Sequence, residues 1–541
     1  MSKSSLYLIL LALSLSACCP KPVDIVPEYG LGIAEVSTGQ GTIAGYRYGD
    51  LFVFKGVPYG KAERFMPATM PESWEGIRPH RVFGPMCPQS MRGGLGNTNE
   101  SNDWAYHTHM QPQNEDCLRL NIWTPGLDNK KRPVMIWLHG GAFSASSGDL
   151  DAAYDGTRLS RKGEVVVISV NHRLGPLGFL DLSAFGEKYK YSGNVGICDL
   201  ISMLKWVRDN IAGFGGDPSN VTVFGQSGGG GKVSSIIGTP YSKGLVSKAI
   251  VESGTSIMML DPGFTRLVGI ETAKILGLDR SNIDEIQTMP VDKVISAGNQ
   301  ALRAVSARAG ELGYDTYTFG WAPNIDGDFF PMQLDKAFAS GMSKDVPLLI
   351  GSNLNEMRPV TGHDAITMEK VRQILHSTIG ENSETYIEAY DEAYPVHETR
   401  DLIETDYYFR ALAVLEAKSK SSAKDGAPVY RYELDYLSPA QDSLFRCPHN
   451  MEVPFAFNNV HISYGLTGYT KDSRAMNATI SDAWINFAKT GVPFSKRLPE
   501  WEPFTESSWA VMILNNKSEL RHHHDEKLLK LTQSLQVNPY L

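Results

Sequence analysis

Positive charge is in short supply in this chain. Its 541 residues carry 51 Lys+Arg against 60 Asp+Glu, a formal charge of −9, and no block of basic residues stands out, so nucleic acid is not an expected partner. Long apolar runs are equally scarce. Beyond the first twenty residues no stretch approaches the ~20 apolar residues that a membrane-spanning helix needs. Internal repeats and low-complexity tracts are missing too, which removes solenoid, collagen-like and disordered architectures. Cysteine is sparse, with six residues in all, so the chain cannot be a small disulfide-built scaffold. What is present, 42% apolar, 10% aromatic and 21% charged residues, is the composition of an ordinary globular protein large enough for an extensive core.

The first nineteen residues, MSKSSLYLILLALSLSACC, combine a basic Lys3, an apolar stretch from Leu6 to Leu15 and small residues before a cysteine. This is the pattern of a secretory signal, too short for a mature membrane span. Leu15-Ser16-Ala17-Cys18 is similar to the lipobox of bacterial lipoproteins, in which the cysteine becomes the lipidated first residue. The expectation is therefore a signal over 1–17, lipidation at Cys18, a Pro-containing tether over 18–30, and one domain over 31–541. The chain would then sit in the bacterial cell envelope, touching membrane only through its lipid anchor, or be secreted if not lipidated. An exported chain can keep disulfides. Cys87 and Cys117 flank a polar stretch, Met91 to Asn114, with little apolar periodicity. A bridge there would close a loose loop and contribute about 3–4 kcal/mol in the chain-entropy picture. Cys198 and Cys447 lie in better-patterned sequence and are expected as buried free thiols.

Six short runs rich in β-branched residues, at 133–139, 164–172, 220–225, 248–254, 346–353 and 428–436, are almost continuously apolar. Such runs suit strands buried on both faces of a parallel sheet. Between two of them, Leu200, Met203, Leu204, Val207 and Ile211 recur at helical spacing, and the segment ends at Gly213 and Gly215. Strand, helix, strand is the βαβ unit of an α/β domain. The least patterned regions, near 256–315 and 360–400, are expected as helical insertions.

Gly225-Gln226-Ser227-Gly228-Gly229 follows the 220–225 strand directly and fits the nucleophile elbow G-x-S-x-G, in which a tight strand-to-helix turn lifts a serine hydroxyl above the sheet. A phosphate-binding glycine loop is the competing reading, but it lacks the Lys-Ser/Thr that would follow. Upstream, His139-Gly140-Gly141-Ala142-Phe143 follows the 133–139 strand, where backbone N–H groups of Gly141 and Ala142 could join that of Gly228 in an oxyanion hole.

These segments resemble the type-B carboxylesterase family, which includes the cholinesterases. The resemblance runs from about residue 31 to 515. It rests on Phe54-Lys55-Gly56-Val57-Pro58-Tyr59-Gly60, Glu115-Asp116-Cys117-Leu118, Asn171-His172-Arg173-Leu174-Gly175, Phe214-Gly215-Gly216-Asp217-Pro218, the elbow, Asn324-Ile325-Asp326-Gly327 and Ala483-Trp484. It implies an α/β-hydrolase fold, a mostly parallel twisted sheet flanked by helices, with helical insertions around the site. It implies no metal or organic cofactor, and a small-molecule ester as partner. Chain order in such hydrolases is Ser, acid, His. Asn355-Glu356-Met357 stands where the family keeps its acid, so Glu356 is that candidate, with Asp326 as rival. Cys447-Pro448-His449-Asn450-Met451-Glu452 is similar to the catalytic histidine segment, which makes His449 the base. The run His522-His523-His524 is expected to be solvated surface, because three adjacent imidazoles cannot all face one metal.

The expected reaction is hydrolysis of small to medium carboxylic esters through an acyl-enzyme on Ser227. Gln226 replaces the Glu that many family members carry before the nucleophile, removing a fixed negative charge and lowering the case for a cationic choline ester. Trp104 lies near the place of a gorge tryptophan in cholinesterases, with a structural packing role as the equal reading. A lipase, or an esterase acting on aromatic or acetyl groups of plant polysaccharide, is the alternative within enzymes. A catalytically silent cell-surface binding protein is the alternative outside them. Oligomeric state is not readable from the sequence.

Overall fold

The computed structural model describes residues 25–90, 111–256, 258–314, 320–357 and 366–535. The expected signal, Cys18, most of the tether and Trp104 lie outside the described residues.

Fourteen strands are described: β1 (Glu35–Ser37), β2 (Thr42–Ala44), β3 (Tyr46–Tyr48), β4 (Leu51–Pro58), β5 (Ile77–Pro79), β6 (Arg119–Thr124), β7 (Arg132–Leu138), β8 (Val166–Val170), β9 (Gly216–Gln226), β10 (Lys248–Glu252), β11 (Leu348–Asn353), β12 (Val429–Leu434), β13 (Val511–Leu514) and β14 (Glu519–Arg521). Eleven of them form one sheet in the order β14-β13-β12-β11-β10-β9-β7-β8-β6-β4-β3, and β1-β2-β5 form a small second sheet. The seven strands from β8 to β13 in that order pair in parallel. β14 and the β6-β4-β3 edge are antiparallel. All six apolar runs read from the sequence are central strands of this sheet, and every residue of β8, β10, β11 and β12 is buried.

Side-chain alternation along β7 shows why these runs must be apolar throughout. Val134, Ile136 and Leu138 enter the core on one face, while Met135 and Trp137 enter the core on the other. Trp137 meets Phe457 edge to face at 5.0 Å. On the first face the helix Val195–Asn210 buries Leu200, Met203, Leu204 and Val207. A 3-10 turn, Ile211–Phe214, and a left-handed Gly215 (φ 74°) end it and turn the chain into β9.

The weakly patterned regions hold helices at Pro262–Ile275, Val291–Ser306, Met368–Ile379 and Ser383–Ala393, each with one buried side. Two expectations need correction. Cys87 and Cys117 are free thiols, not a bridge. Both are buried in the core, the Cys87 sulfur accepts the Leu174 N–H at 3.3 Å, and the hydrogen bond with the Cys87 thiol, together with burial, pushes Cys117 far up. Oxidation proceeds through thiolate, which this setting suppresses. Cys198 and Cys447 are buried free thiols, as expected. Nor is the histidine run solvated throughout: His522 and His523 are exposed, but His524 packs edge-on against Tyr394 at 4.8 Å. Among the described residues, no cluster of three His, Cys, Asp or Glu side chains is placed to hold a metal.

Candidate active site

Because β7, β9, β10 and β11 are neighbours running in one direction, the residues following them converge at one end of the sheet. His139 follows β7, Ser227 follows β9, Ser253 follows β10 and Glu356 lies three residues past β11.

Ser227 occupies φ 57°, ψ −129°, a conformation few non-glycine residues adopt and one that stores strain. It is held there by its own N–H, which donates to Glu252 O at 2.8 Å. The glycines around it are demanded by crowding. A Cβ on Gly229 would lie 1.9 Å from Leu138 O, and one on Gly225 would lie 2.6 Å from the same oxygen. The helix Gly228–Ile237 begins immediately after the serine, so the Gly228 N–H is one of the donors that a helix start leaves without an intrahelical partner.

The loop after β7 closes over this elbow. Its turn is made by Ser144 and Ala145 N–H donating to Gly141 O, with Gly141 (φ 81°) and Ala142 (φ 51°) both left-handed. A Cβ on Gly140 would stand 3.3 Å from Ser227 Cβ, and one on Gly228 would stand 2.3 Å from Ala142 Cα. The three expected oxyanion donors thus belong to two backbone segments in direct contact beside the serine.

His449 Nδ1 lies 2.5 Å from Glu356 Oε2, and the His449 N–H donates to Glu356 O at 3.2 Å. Glu356 is fully buried, and its other oxygen accepts the Asn353 N–H at 2.7 Å. Burial pushes this carboxyl up to about 8 and lowers His449. Both shifts disfavour a lone charge on either group; with Glu356 ionised, a proton taken up by His449 turns the two into a neutralising ion pair. The local departure at Asn355 has a structural use: its N–H donates to Cys447 O at 3.1 Å and its Oδ1 accepts the Cys447 N–H at 3.4 Å, tying the acid's turn to the histidine's. The rival Asp326 instead closes its own turn, accepting the N–H groups of Asp328 and Phe330 at 2.9 Å.

The sequence singles out Gln226 by its place before the nucleophile, but not its contact with the histidine. Gln226 Nε2 lies 3.2 and 3.3 Å from the two ring nitrogens of His449. That near-equality places the amide against the ring's face, since an in-plane approach to both would run into Cε1. Phe409 also stacks on the imidazole, with centroids 5.0 Å apart and planes 27° apart. Behind the pair, Glu452 accepts from Ser253 Oγ and Asn353 Nδ2, each at 2.5 Å. Burial and the adjacent Glu356 carry Glu452 up to about 7. Glu452 was foreshadowed by its place three residues after His449 and Gln226 by its place before the nucleophile; Phe409 carried no such signal.

With the geometry in hand, comparison with known proteins is informative. A sequence profile described as "Carboxylesterase family" matches residues 33–532. The chain is 33% identical over 516 residues to the para-nitrobenzyl esterase of Bacillus subtilis (strain 168), covering 92% of this chain and 98% of that protein. It is 29% identical to the phenmedipham hydrolase of Pseudarthrobacter oxydans, covering 89% and 94%. Among solved structures, an esterase from Clostridium hathewayi described as able to hydrolyse aliphatic aromatic polyesters superposes with a TM-score of 0.83. It shares 33% identity, over 94% of this chain and 99% of that one.

Proposed function

The chain belongs to the carboxylesterase family and is a carboxylesterase of the α/β-hydrolase fold; on that premise we propose that Ser227, His449 and Glu356 form its catalytic triad and hydrolyse small to medium carboxylic esters through an acyl-enzyme. The observation that carries this reading is the 2.5 Å contact of Glu356 with His449, beside a serine held at a strained elbow.

His449, kept neutral by burial and oriented through Nδ1 by Glu356, takes the Ser227 proton at Nε2 as the hydroxyl attacks the ester carbonyl. The oxyanion forms against the N–H groups of Gly141, Ala142 and Gly228. The imidazolium then protonates the leaving alcohol, and the same base activates water to release the acid. One such donor is worth about 3–4 kcal/mol in other serine hydrolases. The uncharged Gln226 against the imidazole supports neutral esters over cationic ones.

The lipobox-like Leu15-Ser16-Ala17-Cys18 supports an exported, lipid-anchored protein; loss of detergent-phase partitioning on Cys18→Ser would bear this out.

The test is turnover of p-nitrophenyl acetate, butyrate and palmitate by the chain begun after Cys19, beside Ser227→Ala. Serine-dependent hydrolysis strongest on the short esters is expected. Preference for palmitate would make the enzyme a lipase, and a folded wild type no better than the alanine variant would leave the binding-protein reading in its place.

A further inference from the structure

A lysine with no exposed surface is rare, because an ammonium taken out of water needs a compensating partner. Lys232 is such a residue, fully buried on the helix that starts at the nucleophile, five positions past Ser227. No ion pair to it is found among the described residues, and burial alone drives its amine well below the usual lysine range. Its Nζ donates at 2.8 Å to a backbone oxygen, that of His139. His139 is the residue immediately before Gly140-Gly141-Ala142, so the bond runs from the serine's helix to the root of the loop carrying the other two oxyanion donors.

The surroundings make this tie short and stiff. Gly228 to Gly231 have no side chains to hold the helix away, and Gly229 lies directly against Leu138 O. The rings of His139 and His172 stack at 5.3 Å, and His139 Nδ1 lies 2.8 Å from Gly140 O. Both imidazoles are pushed towards their neutral forms, first by burial and then by the nearby Lys232.

We propose that Lys232 is a positioning residue for the oxyanion hole, binding the Gly141–Ala142 loop to the Ser227–Gly228 elbow so that all three donors act as one rigid unit. The inference rests on the triad reading above. Donors drawn from two chain segments stabilise the oxyanion only if both stay within hydrogen-bond reach of one point, and a small misplacement is costly. A side chain rooted in one segment and bonded to the backbone of the other holds that distance without touching substrate.

The experiment compares Lys232→Met, which keeps the apolar stem and loses the donor, with Lys232→Gln, of the same bond count as Met and one bond shorter than Lys, which keeps an N–H. Tm, kcat and KM on p-nitrophenyl butyrate, and Ki for a trifluoromethyl ketone that forms a tetrahedral adduct, are measured for each and for wild type. The methionine variant is expected to lose about tenfold or more in kcat with KM changed less than about twofold, and Ki should rise in step with the loss of kcat/KM. The glutamine variant, which keeps a donor, should fall less, and Lys232→Leu takes the methionine's place if that variant does not fold. A folded methionine or leucine variant with wild-type kcat and Ki overturns the proposal. Ser227→Ala is run in parallel: if it retains turnover, the nucleophile assignment fails, whatever the lysine variants do.

Discussion

At the scale of single residues, the proposed mechanism turns on the proton affinity of one imidazole. His449 is faced by Glu356, Glu452 and Asp406 and lies against the uncharged Gln226 and Phe409. Burial is the largest influence and lowers it, although 26% of the side chain remains exposed. Only the neutral ring can accept the serine's proton, so activity should rise with pH through a midpoint below the ordinary ~6.5 of histidine. A kcat/KM profile with its acid limb above 7 would contradict this. Gln226→Glu places a carboxylate against the same ring, stabilises the imidazolium and should move that limb up by about one pH unit or more. An unmoved limb would mean that Gln226 does not face the ring as described.

At the scale of elements, the elbow is a collision avoided. Gly229→Ala puts a methyl 1.9 Å from Leu138 O, which is backbone of a central strand and cannot swing aside. The expected cost is about 3 kcal/mol or more, with loss of ester turnover, read by Tm and by p-nitrophenyl butyrate assay. The same crowding explains what was legible beforehand. Gly225, Ser227 and Gly229 are fixed by contacts within a few residues and with the two neighbouring strands, β7 and β10, so their pattern survives in the sequence. The central strands were legible because burial on both faces leaves no polar position to blur the run, as in β8. The three-residue strands β1, β2, β3 and β5 were not, since their pairing is decided by partners rather than by periodicity. The helices of the insertions were read only as a class. Val291–Ser306 buries Val294, Ile295, Ala297, Gly298, Ala301, Leu302 and Val305, a regular helical stripe that the sequence does carry. Phe409 was illegible for another reason. It lies 183 residues from Gln226 in sequence, and the two meet only over a ring that folding brings between them.

At the scale of the whole molecule, the core holds an unusual load of ionisable groups. Burial raises Glu252 to about 8, Glu416 to about 8 and Asp435 to about 7. For each the folded form binds a proton that the unfolded chain has already lost above pH ~4.5. Stability should therefore fall as pH rises from about 4.5 towards 8. His139 and His172 are lowered by burial, so they act the other way below pH ~6.5, where the unfolded chain gains protons that the fold resists. Lys232, also lowered, offsets part of the alkaline loss, but the three carboxyls outnumber it. Tm should peak near pH 6 and be several degrees lower at pH 8; a Tm still rising between pH 6 and 8 would show that these carboxyls ionise freely in the folded state.

The four described sulfhydryls carry one more implication. Cys87, Cys117, Cys198 and Cys447 are all shut inside the fold, and burial raises Cys117, Cys198 and Cys447. In an oxidising compartment their scrambling with foreign disulfides has to wait for the chain to open. Under such conditions the lifetime of these thiols is set by the height of the unfolding barrier rather than by the redox potential around them, which makes a slow core motion the clock on which this enzyme ages.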